Sequence, residues 1–406
     1  MSDTALRRPS FGMGWATEKL FLGLPLRAYL RRQLTPVNAA AALVLAIGLP
    51  LIAWRFGAGL GAVTNLSQQM PWGLWIGFDM LCGIALAAGG YTLASAVYVF
   101  GLTRYHPIVR PAVLTGFLGY LFAVLGLLCD LGQPWRVPYP IFWSWGTTSV
   151  MFEVGWCVFV YLTVLLLEFS PAAFEWLGLL GLRRRMVELT LGLTVLGVVL
   201  SMLHQSSLGA LFLLAPGRLH PLWYSPFLPV FFFVSSVAAG LAMVIVESAL
   251  SHRAFAGRHG GEPLDLDGLT LGLGRAAAVV LFSYFFLRLQ GLIASERFEL
   301  LPTPLGAWLA VELLGFVLLP SLLLASSARR GDARAVRALA ALVVLGVVLH
   351  RLNVSIVAFG WQEPLRYVPS LAELWVSLTL VTLGVLSFRF VVNRMPVLGP
   401  NTEACR

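Results

Sequence analysis

Residues 71–100 read PWGLWIGFDMLCGIALAAGGYTLASAVYVF, and Asp79 is the one residue in that stretch with a formal charge. An apolar helix needs about 20 residues to cross the hydrocarbon core of a bilayer. This run, read as a span over 73–100, is long enough to cross and either tilt or project beyond it. Comparable runs recur at roughly 37–55, 112–130, 148–169, 187–208, 227–250, 270–290, 305–325, 335–350 and 371–392, so ten spans are expected. The composition points the same way. Of 406 residues 58% are hydrophobic and 12% charged, with a mean hydropathy of +0.83, whereas a soluble chain carries about 25% charged residues. Soluble enzymes, nucleic-acid binders and disulfide scaffolds are excluded, and the expected fold is an all-α, polytopic integral membrane protein. A shorter apolar stretch, AAFEWLGLLG at 172–181, cannot cross and is expected at the membrane interface.

The net charge of +9 comes almost entirely from arginine. In a membrane chain such cations encode topology, because cytoplasmic segments retain positive charge. With the N-terminus inside, the inner side collects 21 cations, and the outer side keeps only Arg55, Arg136, Arg218, Arg288, Arg297, Arg351 and Arg366. Both termini are therefore expected in the cytoplasm, with residues 1–36 as an N-terminal segment, 37–392 as one transmembrane domain and 393–406 as a tail. The pair Arg7-Arg8 is not promptly followed by an apolar stretch, so no cleavable leader is expected. Cys82, Cys129 and Cys157 lie in apolar runs and Cys405 is next to last. With no CxxC and no Cys/His cluster, the chain offers no visible ligand set for an iron-sulfur cluster or a structural zinc.

Ionisable side chains are costly inside a membrane and usually face the bundle interior or water. Counting from the outer surface, Asp79, Glu153 and Glu312 lie one to two helical turns deep, and His204, Arg288, His350, Arg351, Asp130 and Glu373 come near the same level. Both signs of charge and two imidazoles suit a small polar ligand that exchanges protons. Glu168 and Glu247, near the cytoplasmic ends of their spans, fit either snorkelling to water or a proton entry route. Eleven of 13 tryptophans fall on the outer side. An interfacial belt would populate both sides, so Trp143, Trp145 and Trp223, among proline-stiffened loops, are candidates for docking a partner. A faint repeat relates 73–208 to 227–350, pairing Glu153 and LGVVLSMLHQS (196–206) with Glu312 and LGVVLHRLN (345–353). A b-type haem between His204 and His350 is disfavoured because the other four histidines lie in loops.

Several motifs in order carry a resemblance: PWGLWIGFDMLCGIALAAGG (71–90), RYHPIVRPAVL (104–114), Phe152-Glu153, EFSPAAFEWLG (168–178), MLHQSSLGALF (202–212) and HPLWYSP (220–226). Together the chain resembles the NrfD/polysulfide-reductase membrane-subunit superfamily, and within it the HybB-type subunits of periplasmic nickel-iron hydrogenases. The similarity runs from about 35 to 392, and beyond about 255 it is mainly one of pattern. The resemblance implies two four-helix bundles with two further helices, in a bacterial cytoplasmic membrane. It also implies a subunit that exchanges electrons between a quinone pool (menaquinone or ubiquinone) and a periplasmic ferredoxin-like iron-sulfur subunit with its catalytic partner. Haem and iron-sulfur clusters are not implied in this chain. By motif, Asp79, Asp130, Glu153, His204, Gln205 and Ser206 fall around the quinone site or its proton path and Arg110 is structural, while Glu168, Glu247, Glu312 and His350 are candidate path residues from their placement in the spans alone. His204 is the expected partner of a quinone carbonyl and Glu153 the expected proton donor. A rival reading is a secondary transporter or ion-conducting protein whose repeat and midspan charges form the substrate site.

The topology is checked by reporter fusions: one after residue 218 is expected to report the outer compartment and one after 331 the cytoplasm. Reversal of either overturns the assignment of spans.

Overall fold

In hydrocarbon each backbone amide must be paired within the protein, which leaves helices as the spanning element for runs of this length. The computed structural model describes residues 13–255 and 264–398 and contains ten helices long and apolar enough to cross a membrane. They are α1 (Pro36–Ala58), α2 (Trp75–Val99), α3 (Thr103–Asp130), α4 (Val150–Leu177), α5 (Leu180–Leu214), α6 (Leu228–Ala254), α7 (Leu266–Ser295), α8 (Pro304–Arg330), α9 (Ala333–Val357) and α10 (Leu371–Arg394). Two short helices, Met13–Lys19 and Leu26–Gln33, precede α1. The expectations for Arg7, Arg8, Arg258 and Cys405 fall outside the described residues.

Each apolar run lies on its own helix, and most helices extend past it. The stretch 172–181 is not a separate element: α4 continues through it to Leu177, Gly178 turns the chain in the left-handed region (φ 78°), and α5 starts at Leu180. Alternate crossings put the connections 59–74, 131–149, 215–227, 296–303 and 358–370 on one face, here the tryptophan face. The connections 100–102, 178–179 and 331–332 and the helices before α1 lie on the opposite, arginine face.

Helices α2–α5 pack as one four-helix bundle and α6–α9 as a second, while α1 and α10 pair with each other and lie against α2 and α3. The bundles meet where α6 contacts α2 and α5 and where α9 contacts α2. Among the described residues there is no strand, only an isolated bridge between Leu219 and Phe359 that ties two connections on the tryptophan face.

α2 touches both bundles because small residues let backbones approach closely. A Cβ at Gly240 of α6 would stand 2.6 Å from the Gly89 amide nitrogen of α2, and one at Gly90 would stand 3.2 Å from the Ala112 carbonyl of α3. α2 is also irregular. It is π-helical over Trp75–Cys82 and Ser95–Val99 and breaks at Ala87-Ala88, while α8 and α9 are π-helical over Val311–Leu318 and Asn353–Val357. Such segments are rare and concentrate at functional sites; apolar periodicity does not reveal them.

A side chain at Gly240 has backbone on its far side, which cannot rotate away. Gly240→Ala is expected to cost roughly 1–3 kcal/mol. Gly155→Ala, on α4 with open space around it, is expected to be neutral or to stabilise by about 0.5–1 kcal/mol. Thermal unfolding in detergent reads both, and equal effects would remove α2–α6 contact as the cause.

Candidate functional site

Between α2, α3, α6 and α10 lies a cavity of about 440 Å³. Its wall is almost wholly apolar, with Phe78, Leu86, Leu118, Phe122, Leu380 and Phe388 among the lining residues. Ionisable groups mark its ends: Asp79 toward the tryptophan face, and Glu247 with Arg389 toward the arginine face. Leu250 and Val385, which also line it, are 60% and 55% exposed, so the cavity is open sideways to the apolar outer surface of the helices. Volume, apolar wall and few polar groups match a site for an amphipathic small molecule.

Asp79 sits in the π-helical part of α2, where the wider turn changes the direction of its side chain. Its Oδ2 accepts from Ser377 Oγ of α10 at 2.8 Å, and Gly126 of α3 leaves room for it, since a Cβ there would lie 2.7 Å from the Asp79 Cβ. Asp130, at the end of α3, interacts electrostatically with Asp79. Arg55 of α1 closes that helix end by donating to the carbonyls of Cys129 and Leu131. Glu373 of α10 is a cap: it accepts from the backbone of Ser370 at 2.7 Å and Asn65 at 3.2 Å, and from the Tyr367 hydroxyl. Burial, then the Glu373 hydrogen bond, push the Tyr367 phenol above its ordinary pKa and keep it a donor.

The second group of expected site residues stands apart from the cavity wall. His204 is fully buried; its Nδ1–H donates to the Leu200 carbonyl at 2.8 Å and its Nε2 accepts from the Tyr120 hydroxyl. Both ring nitrogens are therefore engaged. Gln205 Nε2 donates to the Ile84 carbonyl at 3.1 Å. That carbonyl lies at the break in α2, where the Ala88 amide bonds to Ala85 instead. Glu153 does not meet His204; its Oε1 accepts from Ser207 Oγ at 2.6 Å. The hydroxyl on the acid is thus the serine after Ser206, because Ser207 faces α4 from α5. Glu168 accepts from Thr194 at 2.8 Å between α4 and α5. Arg110 donates to the Pro396 carbonyl at 2.9 Å and pairs with Glu175 at 3.5 Å, holding the chain after α10.

The second bundle contains a closed polar cluster. Glu312 Oε1 accepts from His350 Nδ1 at 2.9 Å and pairs with Arg288 at 3.5 Å, while Oε2 accepts from Trp223 Nε1 at 2.9 Å and Asn353 Nδ2 at 2.5 Å. Arg351 donates to the Phe232 carbonyl and Ser235, each at 3.0 Å, with its guanidinium 3.8 Å from the Phe232 ring centre. Trp223 was expected on the docking surface, but it is 1% exposed and belongs to this cluster. The indole N–H needs a partner once buried, and Glu312 supplies it. His204 and His350 belong to different bundles. Among the described residues no group of three or more His, Cys, Asp or Glu could hold a metal ion.

On the tryptophan face, Trp143 and Trp145 are 72% and 64% exposed, beside exposed Trp135, Tyr139 and Phe142. Trp135 lies in the turn Pro134–Arg136, and the others lie on or just after the short helix Pro138–Phe142 between α3 and α4. His220, in the connection before α6, is pushed below its ordinary pKa by burial and by the Arg366 charge, and so stays neutral. The contribution of α10 to the cavity was missed from sequence, since Ser377, Leu380 and Arg389 lie some 300 residues from Asp79. No local pattern could have joined them.

The family profile described as "Polysulphide reductase, NrfD" matches residues 62–360, a range that holds α2–α9. A protein of Nitratidesulfovibrio vulgaris is 52% identical over 370 residues, covering 90% of this chain and 95% of its own. The "Probable Ni/Fe-hydrogenase 2 b-type cytochrome subunit" of Escherichia coli is 35% identical, covering 88% and 91%. The "Menaquinone reductase, integral membrane subunit" of Nitratidesulfovibrio vulgaris is 27% identical, covering 86% and 88%. With three-quarters of its length matched by the profile and a close-to-full-length relative above 30% identity, this ten-helix chain belongs to the NrfD family of membrane subunits.

Proposed function

We propose that this chain is the quinone-binding membrane subunit of a respiratory oxidoreductase, with the quinone head group at the Asp79 end of the cavity and its isoprenoid tail leaving between α6 and α10. The observation that carries this reading is the laterally open apolar cavity with a carboxyl group, held by Ser377, at one end. Relatives named for a hydrogenase and for menaquinone reduction support it. In this reading the chain lies in a bacterial cytoplasmic membrane with the tryptophan face in the periplasm, where an iron-sulfur partner docks beside a catalytic subunit.

Conversion of quinone to quinol takes up two electrons and two protons. The electrons come from, or in the reverse direction return to, the docked partner. This chain's part is to exclude water, fix the ring and move protons. Asp79, at the end of the apolar wall, is placed to exchange a proton with a ring oxygen. Ser377 orients it, and Asp130 lies on the route to the tryptophan face. His204, with both nitrogens engaged, acts through position: Tyr120, His204 and Gln205 secure the break in α2 and so the direction of the Asp79 segment. Glu153 with Ser207, and Glu168, are proposed as proton-carrying groups on the α4–α5 side, and Glu247 as one at the far end of the cavity. A transporter would need its midspan charges open to a substrate path. Arg288, Glu312 and His350 are instead enclosed by each other and by Trp223 and Asn353.

Asp79→Asn keeps the size and a hydrogen bond but removes the transferable proton. The complex is expected to assemble and accept electrons, with quinone turnover reduced about 100-fold or more; a loss below roughly tenfold, with normal assembly, assigns Asp79 to packing. Gly384→Leu should fill the cavity and weaken binding of a quinone analogue about tenfold or more, the order of one well-packed side chain. Unchanged affinity there would move the site elsewhere.

Trp143 and Trp145 generate a separate test. Changing both to alanine is expected to weaken partner binding by about 2 kcal/mol or more, read by co-purification in mild detergent, with the chain still in the membrane. Retained binding would make these residues part of the interfacial belt.

A further inference from the structure

The helix Leu26–Gln33, LRAYLRRQ, has no buried residue. It ends just before Thr35, which caps α1, so it lies where the chain enters the bilayer on the arginine face. Leu26, Leu30 and Leu34 recur every fourth residue and form one stripe. The first two are each 54% exposed and the third 84%. Arg27, Arg31 and Arg32 are exposed on the remaining surface, and residues 20–37 contain no acid. Neighbouring helices hold this element through Tyr29 and Gln33. Arg394 of α10 donates to the Tyr29 hydroxyl at 2.6 Å, and Asn38 of α1 donates to the Gln33 carbonyl and side chain at 2.8 and 2.9 Å.

A short helix in water would not leave a stripe of three leucines uncovered. A basic helix with an apolar face, joined directly to a spanning helix, instead suits the plane between acyl chains and head groups. We propose that Leu26–Gln33 is an interfacial element that sinks its leucines among acyl chains and takes the phosphates of anionic phospholipids on Arg27, Arg31 and Arg32. Charge decides the lipid class. Three cations with no acid nearby favour an anionic surface, at roughly fivefold in affinity per arginine and on the order of a hundredfold for the three. The element is also linked to the cavity. Arg389, which lines the inner end, donates to Asn38 at 2.9 Å, and Asn38 in turn holds Gln33. The element is thus joined by two hydrogen-bonded steps to the inner end of the cavity.

The test is amide hydrogen exchange of residues 26–34 in the full-length chain, in nanodiscs of phosphatidylcholine alone or mixed with phosphatidylglycerol. Exchange is expected to be about tenfold slower in the anionic discs. The R27Q/R31Q/R32Q variant is expected to lose that slowing, while Tyr29→Phe, which breaks the tie to Arg394, is expected to retain it. Equal protection in the two lipids would overturn the head-group assignment, and no protection in either would overturn the interfacial placement. Protection that appears only when other subunits are bound would assign the stripe to a protein partner and overturn the proposal. None of these outcomes depends on quinone turnover.

Discussion

A helix in hydrocarbon has no water to repair a missing backbone hydrogen bond, and this protein is organised around the places where side chains do so instead. Gln205 of α5 donates to the Ile84 carbonyl left at the break in α2. Arg55 of α1 closes the end of α3, and Glu373 with Ser370 closes the start of α10. In the first two cases the repairing group comes from another helix, and in the third it is a local capping box of α10 and the residue before it. The break in α2 is therefore possible only in the assembled bundle, and two of the buried carboxylates sit in irregular turns of their own. Asp79 and Glu312 both lie within π-helical turns.

The two bundles use buried charge in opposite ways. In the second, the Glu312 carboxylate is fully partnered by His350, Arg288, Asn353 and Trp223, an arrangement suited to fixing how α7, α8 and α9 pack. Removing one member of such a set leaves another charge buried without a partner, a larger penalty than the pair's own net contribution. At the edge of the first, Asp79 has one hydroxyl partner and otherwise faces an open apolar cavity. Incomplete satisfaction beside empty volume is what distinguishes a binding site from a structural cluster.

α10 belongs to neither bundle, yet it supplies Ser377, Leu380 and Arg389 to the cavity. It pairs with α1, and through Asn38 and Arg394 it also positions the helix that precedes α1. α10 thus forms one wall of the proposed quinone site and, with α1, connects it to the membrane surface.

Hydropathy alone determined that the chain is a membrane protein of ten helices, because twenty apolar residues in a row have one stable environment, and the ordered motifs determined its family. The sequence also located most of the buried ionisable residues, since a charge in such a run stands out. It could not decide their partners. Glu312 with His350 appeared as a pair and is one, whereas Glu153 with His204 appeared as its equivalent and is not: on α5 it is Ser207, a turn beyond His204, that meets Glu153, while His204 meets Tyr120. Trp223 read as a loop tryptophan on the surface and is buried against Glu312, while Trp143 and Trp145, of the same type in a similar connection, are exposed. Burial depends on which helices converge above a residue, and that convergence is set by glycine contacts such as Gly89–Gly240 between distant parts of the chain. The cavity is likewise a property of four helices at once, and only the tertiary structure could decide that Asp79 lines it and His204 does not.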